Sequence, residues 1–297
     1  MQGLNGAESM NRNLHIAMLW VEGPLSYVEQ LCIQSFLDAG HEVTLYHYGP
    51  VDRVPEGASL VHGREILDKD SFIAHGRTGS MALFSDVFRY HMLSKLDHTI
   101  WADTDAYCLR PFSTETGHFF GWESEQHING GVLCLPQDSE ALAGLLGMSR
   151  DEYGIPFWYS DAAKAQLQEQ AEAGKPVHVS DMPWGVWGPH AITAWLHKTG
   201  ENKYAFAREV LYPVPFGMRR HMVRPGRLAS AEACLTDETL SIHLYGRRIR
   251  EFLASRPGGL PDEGGMIDGL LKKHGIDPRA APIPVRHRAD PEKAQST

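Results

Sequence analysis

The patterned part of the chain opens at residues 14–20, LHIAMLW, an apolar run of strand length. Gly23-Pro24 breaks it. From Ser26 the period lengthens. Val28, Leu31, Cys32, Phe36 and Ala39 fall on one helical stripe, Ser26 and Glu29 have the spacing of a capping box, and Gly40 suits the stop. Residues 42–48 alternate as a second strand. Strand, helix, strand is the opening of a parallel sheet. Residues 49–79 hold no sustained period beyond a short strand at 59–61. A second amphipathic helix is predicted over 80–96, with Phe84, Val87, Phe88, His91 and Met92 as its core stripe. Further strands are expected at 99–102, 118–122, 131–135 and 239–245, and helices at 139–148, 161–173, 189–198 and 247–254. The fold class is therefore α/β, with a mixed, mostly parallel sheet flanked by helices. One domain over 14–273 is the simplest division, between a polar disordered start (1–13) and a Pro-, Ala- and charge-rich disordered tail (274–297).

Composition narrows the function. The chain has 297 residues, 42% hydrophobic and 22% charged, enough for a large core without covalent staples. A formal net charge of −9 argues against nucleic acid as a partner. Cys32, Cys108, Cys134 and Cys234 are scattered, with no C-x-x-C pair, so neither a metal cage nor a disulfide framework is indicated, and reduced thiols in the cytoplasm are expected. The first residues lack the pattern of a signal peptide, and no stretch approaches the ~20 apolar residues of a membrane span. A membrane-borne substrate would be met by peripheral contact at the inner face.

The chemistry centres on Trp101-Ala102-Asp103-Thr104-Asp105. Residues two apart on a strand point to one side, so at a strand end both carboxylates can converge on one cation. Hard cations such as Mg²⁺ and Mn²⁺ take carboxylate oxygen and keep open positions for phosphate. The preceding helix carries Asp86 and Arg89 at i, i+3, on a face turned away from the Phe84/Phe88/His91 stripe. Such a carboxylate can accept hydrogen bonds from sugar or ribose hydroxyls, and such a guanidinium can meet hydroxyls or a phosphate. Asn129 precedes two glycines, where backbone packs close to a ligand. Trp184 and Trp187 can stack on a sugar face, or serve as core. Glu123 and Glu125 follow a strand, where a general base for an inverting reaction would sit. Arg247 and Arg248 can cover a diphosphate.

Ser85-Asp86-Val87-Phe88-Arg89-Tyr90, then Asp103-Thr104-Asp105 and Leu109-Arg110-Pro111, resembles the sugar-binding region of DXD glycosyltransferases of the GT-A type. The likeness is to the family of yeast initiating mannosyltransferases, bacterial capsule transferases and α-1,4-galactosyltransferases, and to the S-D-x-x-R-Y…D-x-D layout of glucosylating clostridial toxins. It extends to Leu19-Trp20, Gly23-Pro24, Ile128-Asn129-Gly130-Gly131 and Gly188-Pro189. Where the family carries Gly-Gly before the acidic pair, this chain has Leu96-Asp97-His98-Thr99-Ile100.

The resemblance implies a GT-A (Rossmann-like) fold, with a nucleotide-binding half over 14–111 and an acceptor half over 112–273. It implies Asp105 as a metal ligand, Asp103 on ribose, sugar or metal, Asp86 and Arg89 on the donor sugar, and Leu19-Trp20 near the nucleotide base. It implies a late histidine ligand, for which His243 in His243-x-x-Gly246 is the candidate. Mn²⁺ suits an imidazole better than Mg²⁺. The implied activity is transfer of a hexose, with retention, from a UDP-sugar in preference to a GDP-sugar. The implied acceptor is a glycan or glycolipid, as in bacterial surface polysaccharide synthesis. Two other classes compete. A haloacid-dehalogenase-type phosphohydrolase also places D-x-D after a strand, but nearer the N-terminus and with Thr or Val where Tyr107 stands here. A carbohydrate-binding protein would use the aromatic and acidic groups without catalysis. A sugar-nucleotide pyrophosphorylase would open with a Gly-rich phosphate loop, which is absent.

Overall fold

The computed structural model describes residues 14–68, 73, 74, 76 and 79–285. In chain order its elements are β1 (His15–Leu19), α1 (Tyr27–Asp38), β2 (Val43–His47), β3 (Ser59–His62), α2 (Ala82–Lys95), β4 (Thr99–Ala102), β5 (Ala106–Cys108), β6 (Phe119–Trp122), β7 (Ile128–Cys134), α3 (Glu140–Met148), α4 (Asp161–Glu172), α5 (Pro189–Thr199), α6 (Arg208–Leu211), α7 (Leu228–Glu232), β8 (Ser241–His243), α8 (Gly246–Leu253) and α9 (Met266–Lys273). Six strands form one sheet in the order β3-β2-β1-β4-β7-β6. The pairs among β1–β4 are parallel, and β7 runs antiparallel to both β4 and β6. The α/β class with a mixed, mostly parallel sheet is as the sequence pattern indicates. Among the described residues, no helix is long and apolar enough to cross a membrane.

Strand alternation builds the core on both faces of the sheet. Ile16, Met18, Val43, Leu45, Ile100, Ala102, Val132 and Cys134 pack to one face with Ile33 and Phe36 of α1. Their neighbours Ala17, Tyr46, Trp101 and Leu133 pack to the other with Phe84 and Phe88 of α2 and with α3 and α5. Each fully buried large side chain contributes roughly 1.5–3 kcal/mol. The Ser26/Glu29 capping box is present at the start of α1.

Several expectations are corrected. The face of α2 bearing Asp86 and Arg89 is not a surface face: both residues are buried. Tyr90, Leu83 and Leu93 are also buried on α2, whereas His91 is only half-buried. The helix is wrapped on nearly all sides, so its amphipathic stripe understates its contacts. β7 starts at Ile128, which puts Asn129 inside a strand, and β5 is an extra strand. The stretch from residue 274 does not leave the body at once. Ala281 and Ile283 are buried, and the Tyr27 N–H donates to the Ala281 carbonyl at 3.0 Å. Two apolar anchors among the prolines suffice, and average composition does not register them. Residues 1–13 and 286–297, read as disordered ends, lie outside the described residues.

Candidate functional site

β4 delivers the acidic pair. The Asp103 N–H donates to the Gly131 carbonyl at 2.7 Å, continuing the β4–β7 edge, and the Ala106 N–H closes a turn onto the Asp103 carbonyl at 2.9 Å. The chain then enters β5, which pairs antiparallel with β8 in the register Ala106 opposite His243. That register brings His243 to Asp105: Nε2 lies 3.2 Å from Oδ1, with the side chains only 11% and 18% exposed. One ligand atom each of Asp103, Asp105 and His243 lies within 4.8 Å of the others.

The two aspartates are engaged differently: one oxygen of Asp103 meets protein donors, whereas Asp105 faces the Gly246 N–H on one oxygen and the His243 ring on the other. Asp103 Oδ1 accepts from Trp101 Nε1 at 2.8 Å and from Arg89 at 3.2 Å. Asp105 Oδ2 accepts from the Gly246 N–H at 2.6 Å, while its Oδ1 is buried without a hydrogen bond among the described residues. Tyr245 makes the second contact possible. Its backbone is left-handed, φ 53° and ψ 50°, a conformation an aromatic residue rarely adopts, and it turns the chain so that α8 starts against Asp105. Gly246 is required there, because a Cβ would stand 2.8 Å from the Asp105 Cβ. On the opposite wall, a Cβ on Gly131 would stand 3.3 Å from His243 Nε2 and 3.4 Å from Asp103 Oδ2. The missing side chain is what leaves a niche between them.

Arg89 ties α2 to this centre. NH1 donates to the Gly130 carbonyl at 2.6 Å; NH2 reaches Ser85 Oγ at 3.3 Å and Asp103; Nε faces the Ser85 carbonyl at 3.4 Å. Asp86 Oδ1 lies 3.4 Å from NH2. Four of the five guanidinium N–H groups are thus spent on the protein, and one is left for a ligand. The guanidinium also sits 5.0 Å over the Trp101 ring.

Charge and burial separate the four acid–base groups. Burial, with the Asp103 charge adding to it against Arg89, pushes Asp86 up to about 7. Burial also raises Asp103, reinforced by Asp105 and opposed by Arg89. Burial would raise Asp105 too, but His243, the Gly246 N–H and Arg250 hold it well below the carboxylate range. Burial alone would lower His243. The Asp105 carboxylate reverses that and lifts it to about 9.

The residues fit a divalent cation. An octahedral ion with ligands at about 2.1 Å spaces its donor atoms about 3–4 Å apart, so this set closes on one ion with small side-chain shifts. Two carboxylates and an imidazole offer the oxygen and nitrogen donors that a divalent cation takes.

The triad opens into a cleft of about 1380 Å³, larger than the ~300–1,000 Å³ usual for one small ligand. Asp86, Arg89, Asp103, Asp105, Asn129, His243, Arg247 and Tyr245 all line it, as do Glu123, Glu125 and Arg248. Asn129 is held at both ends, donating from Nδ2 to Glu123 at 2.9 Å and accepting from the Gly131 N–H at 2.6 Å. Trp184 lines the cleft and is exposed, whereas Trp187 is buried in a core cluster. His190 is half-buried and stacks on His127. Leu19 and Trp20 are not among the lining residues: Leu19 packs into the α2-side core, and Trp20 packs against the α1-side core with Nε1 donating to the Gly23 carbonyl.

The lining residues Arg208, Phe216 and Trp122, and the Trp101 bond to Asp103, went unread in the sequence. Trp101 was legible, since it lies two residues before Asp103 on one side of the strand. Arg208 opens a four-residue helix and Phe216 a short 3-10 turn, and neither element is long enough to show a period.

No protein-family model matches the sequence, and no curated protein matches it. Many solved chains are similar to it, two of them at low identity as follows. One is the PaToxG glycosyltransferase, with a TM-score of 0.40 and 11% identity over 64% of this chain and 70% of that one. The other is the galactosyltransferase LgtC in complex with donor and acceptor sugar analogs, with a TM-score of 0.39 and 11% identity over 95% of this chain and 99% of that one. Both superpositions are loose.

Proposed function

We propose that this chain is a metal-dependent glycosyltransferase, moving a hexose from a nucleotide-sugar donor, a UDP-sugar before a GDP-sugar, to a glycan or glycolipid acceptor. The observation that carries this reading is one cleft lined both by an Asp103/Asp105/His243 set, with a ligand atom of each within 4.8 Å of the others, and by a buried Asp86–Arg89 pair. A divalent cation held by the first set would offset the charge that gathers on a diphosphate as the sugar bond breaks.

The chain's own groups do the rest. Asp86 accepts hydrogen bonds from donor-sugar hydroxyls, and its remaining N–H partner, Arg89, keeps it at a fixed spacing from Asp103. Arg247 and Arg248 stand in the first turn of α8, where exposed guanidinium groups and helix N–H groups favour phosphate. Asn129, locked between Glu123 and Gly131, presents a fixed surface beside the reacting carbon. Leu19 and Trp20 pack against the two cores and do not line the cleft, so this reading assigns them no contact with the base. The reading includes retention, with the acceptor proton passing to the departing phosphate. Work at the inner face of a membrane belongs to the same reading.

A panel of UDP- and GDP-sugars with Mn²⁺, Mg²⁺ or a chelator tests it, by nucleotide diphosphate release and by NMR of the product anomer. Release with one donor, abolished by chelation and by Asp105→Ala in a folded variant, is expected. Undiminished release in that variant, or phosphate freed from sugar phosphates with no nucleotide involved, overturns it.

A further inference from the structure

The cleft has a second cationic wall that the donor does not need. Arg208 opens α6, is exposed, and its guanidinium makes no hydrogen bond or ion pair among the described residues. Phe216 is 47% exposed, although it lines the cleft. Its ring is fixed from two sides: the Arg219 guanidinium lies 4.0 Å over it, and the Tyr245 ring meets it edge-on at 5.3 Å. Arg219 is anchored by donating to the Phe216 carbonyl at 2.7 Å. Arg208, Phe216 and Tyr245 line the same cleft, and the charges of Arg208 and Arg219 both reach Tyr245. Tyr245 in turn packs on His243 at 4.6 Å, which places it directly beside the cation triad. Arg247 and Arg248 share a single carboxylate, Glu251, at 3.6 and 3.1 Å, so they add net positive charge at the same end. This lies in a chain whose formal net charge is −9.

A rigid exposed ring gives a stacking surface for the apolar face of a sugar, and a free guanidinium gives a forked site for a carboxylate or phosphate. The cleft volume leaves room for a second substrate once a donor is in place. Resting on the glycosyl-transfer reading, we infer that Arg208 and Phe216 form the acceptor subsite, and that the acceptor glycan carries an anionic group, a phosphate or a carboxylate. Phe216 stacks on the ring next to the acceptor hydroxyl, and Arg208 takes the anion.

The test uses matched probes: lactose against 3′-sialyllactose for the carboxylate, and a mannose disaccharide against its 6-phosphate for the phosphate. Binding to the full chain is measured by calorimetry or ligand-observed NMR, without nucleotide. The charged member of at least one pair is expected to bind roughly tenfold or more tightly. Arg208→Gln should abolish that preference, and Phe216→Ala should weaken both members of the pair. Equal binding of charged and neutral members, or binding of neither, overturns the inference. So does a loss of Mn²⁺-dependent UDP affinity in Arg208→Gln as large as its loss of glycan affinity, since Arg208 would then serve the donor. Absence of turnover with every nucleotide sugar would instead strike the glycosyl-transfer reading, and leave the glycan-binding result standing.

Discussion

Asp86→Asn should make the protein more stable at neutral to alkaline pH while disabling its donor site. Asp86 is 5% exposed, and its folded pKa is raised from 3.8 to about 7. The folded protein therefore binds this proton more tightly than the unfolded chain does. Below about pH 3.8 the carboxyl is neutral in both states and costs nothing. As pH rises toward 7 the unfolded chain ionises freely and the folded one resists, so stability is lost through that window. It is fully lost above pH 7. About three pKa units at 1.36 kcal/mol each give a penalty on the order of 4 kcal/mol.

An asparagine removes the charge with little change of shape, although its amide carries a fixed cost of roughly 1–3 kcal/mol if it is left unpaired. That cost is independent of pH, so the quantity to read is a difference. Urea unfolding of both proteins in chelator, near pH 4 and near pH 8, should show the variant gaining about 4 kcal/mol relative to wild type between the two conditions. A variant whose offset from wild type is the same at both pH values would refute the reasoning. It would mean that Asp86 keeps an ordinary carboxylate pKa, and that Arg89 compensates its burial in full.

Three other outcomes follow from the site. Asp105→Ala should cut Mn²⁺ affinity by roughly a hundredfold, read by electron paramagnetic resonance, with the circular dichroism spectrum unchanged. Gly246→Ala inserts a methyl group 2.8 Å from the Asp105 Cβ and 2.9 Å from Arg250 NH1. It should displace the aspartate, weakening Mn²⁺ binding about tenfold or more at a stability cost of roughly 1–3 kcal/mol. Since His243 is held protonated up to about 9, a metal that takes its imidazole must release a proton. Mn²⁺ affinity should climb about tenfold per pH unit from near 7 to near 9, with proton release measured by calorimetry in buffers of different ionisation heat; a flat profile would exclude His243 as a ligand.

The sequence made some of this visible and hid the rest for physical reasons. β1, α1 and β2 were legible because one segment switches from strand to helical period with a capping box at the join. The Asp103/Asp105 pair was legible because it stands at the end of an apolar strand. The partnership of Asp105 with His243 depends on the β5–β8 register, and a three-residue strand such as β5 carries too few residues to show a period. Asp86 and Arg89 looked like a solvated face because a helical stripe records only the strongest apolar side. Here the Gly188 and Gly130 backbones cover the other side: a Cβ on Gly188 would stand 3.0 Å from Asp86 Oδ2, and Arg89 reaches the Gly130 carbonyl. Phe216 and Arg208 open helical pieces of seven and four residues, too short to show a period, so tertiary contacts decide which side chain faces the cleft.

The small β5–β8 ladder has a consequence for how the protein matures. Asp105 and the glycine that orients it are 141 residues apart in sequence, and only this ladder and the turn after it bring them together. A nascent chain that has completed its main sheet already carries both aspartates, yet has neither the imidazole nor the amide that shapes them. If the proposed metal site is correct, capture of an ion would therefore wait for β8, far along the chain at Ser241–His243, to dock. Long-range closure of this kind is slow, so ion uptake would time the end of folding.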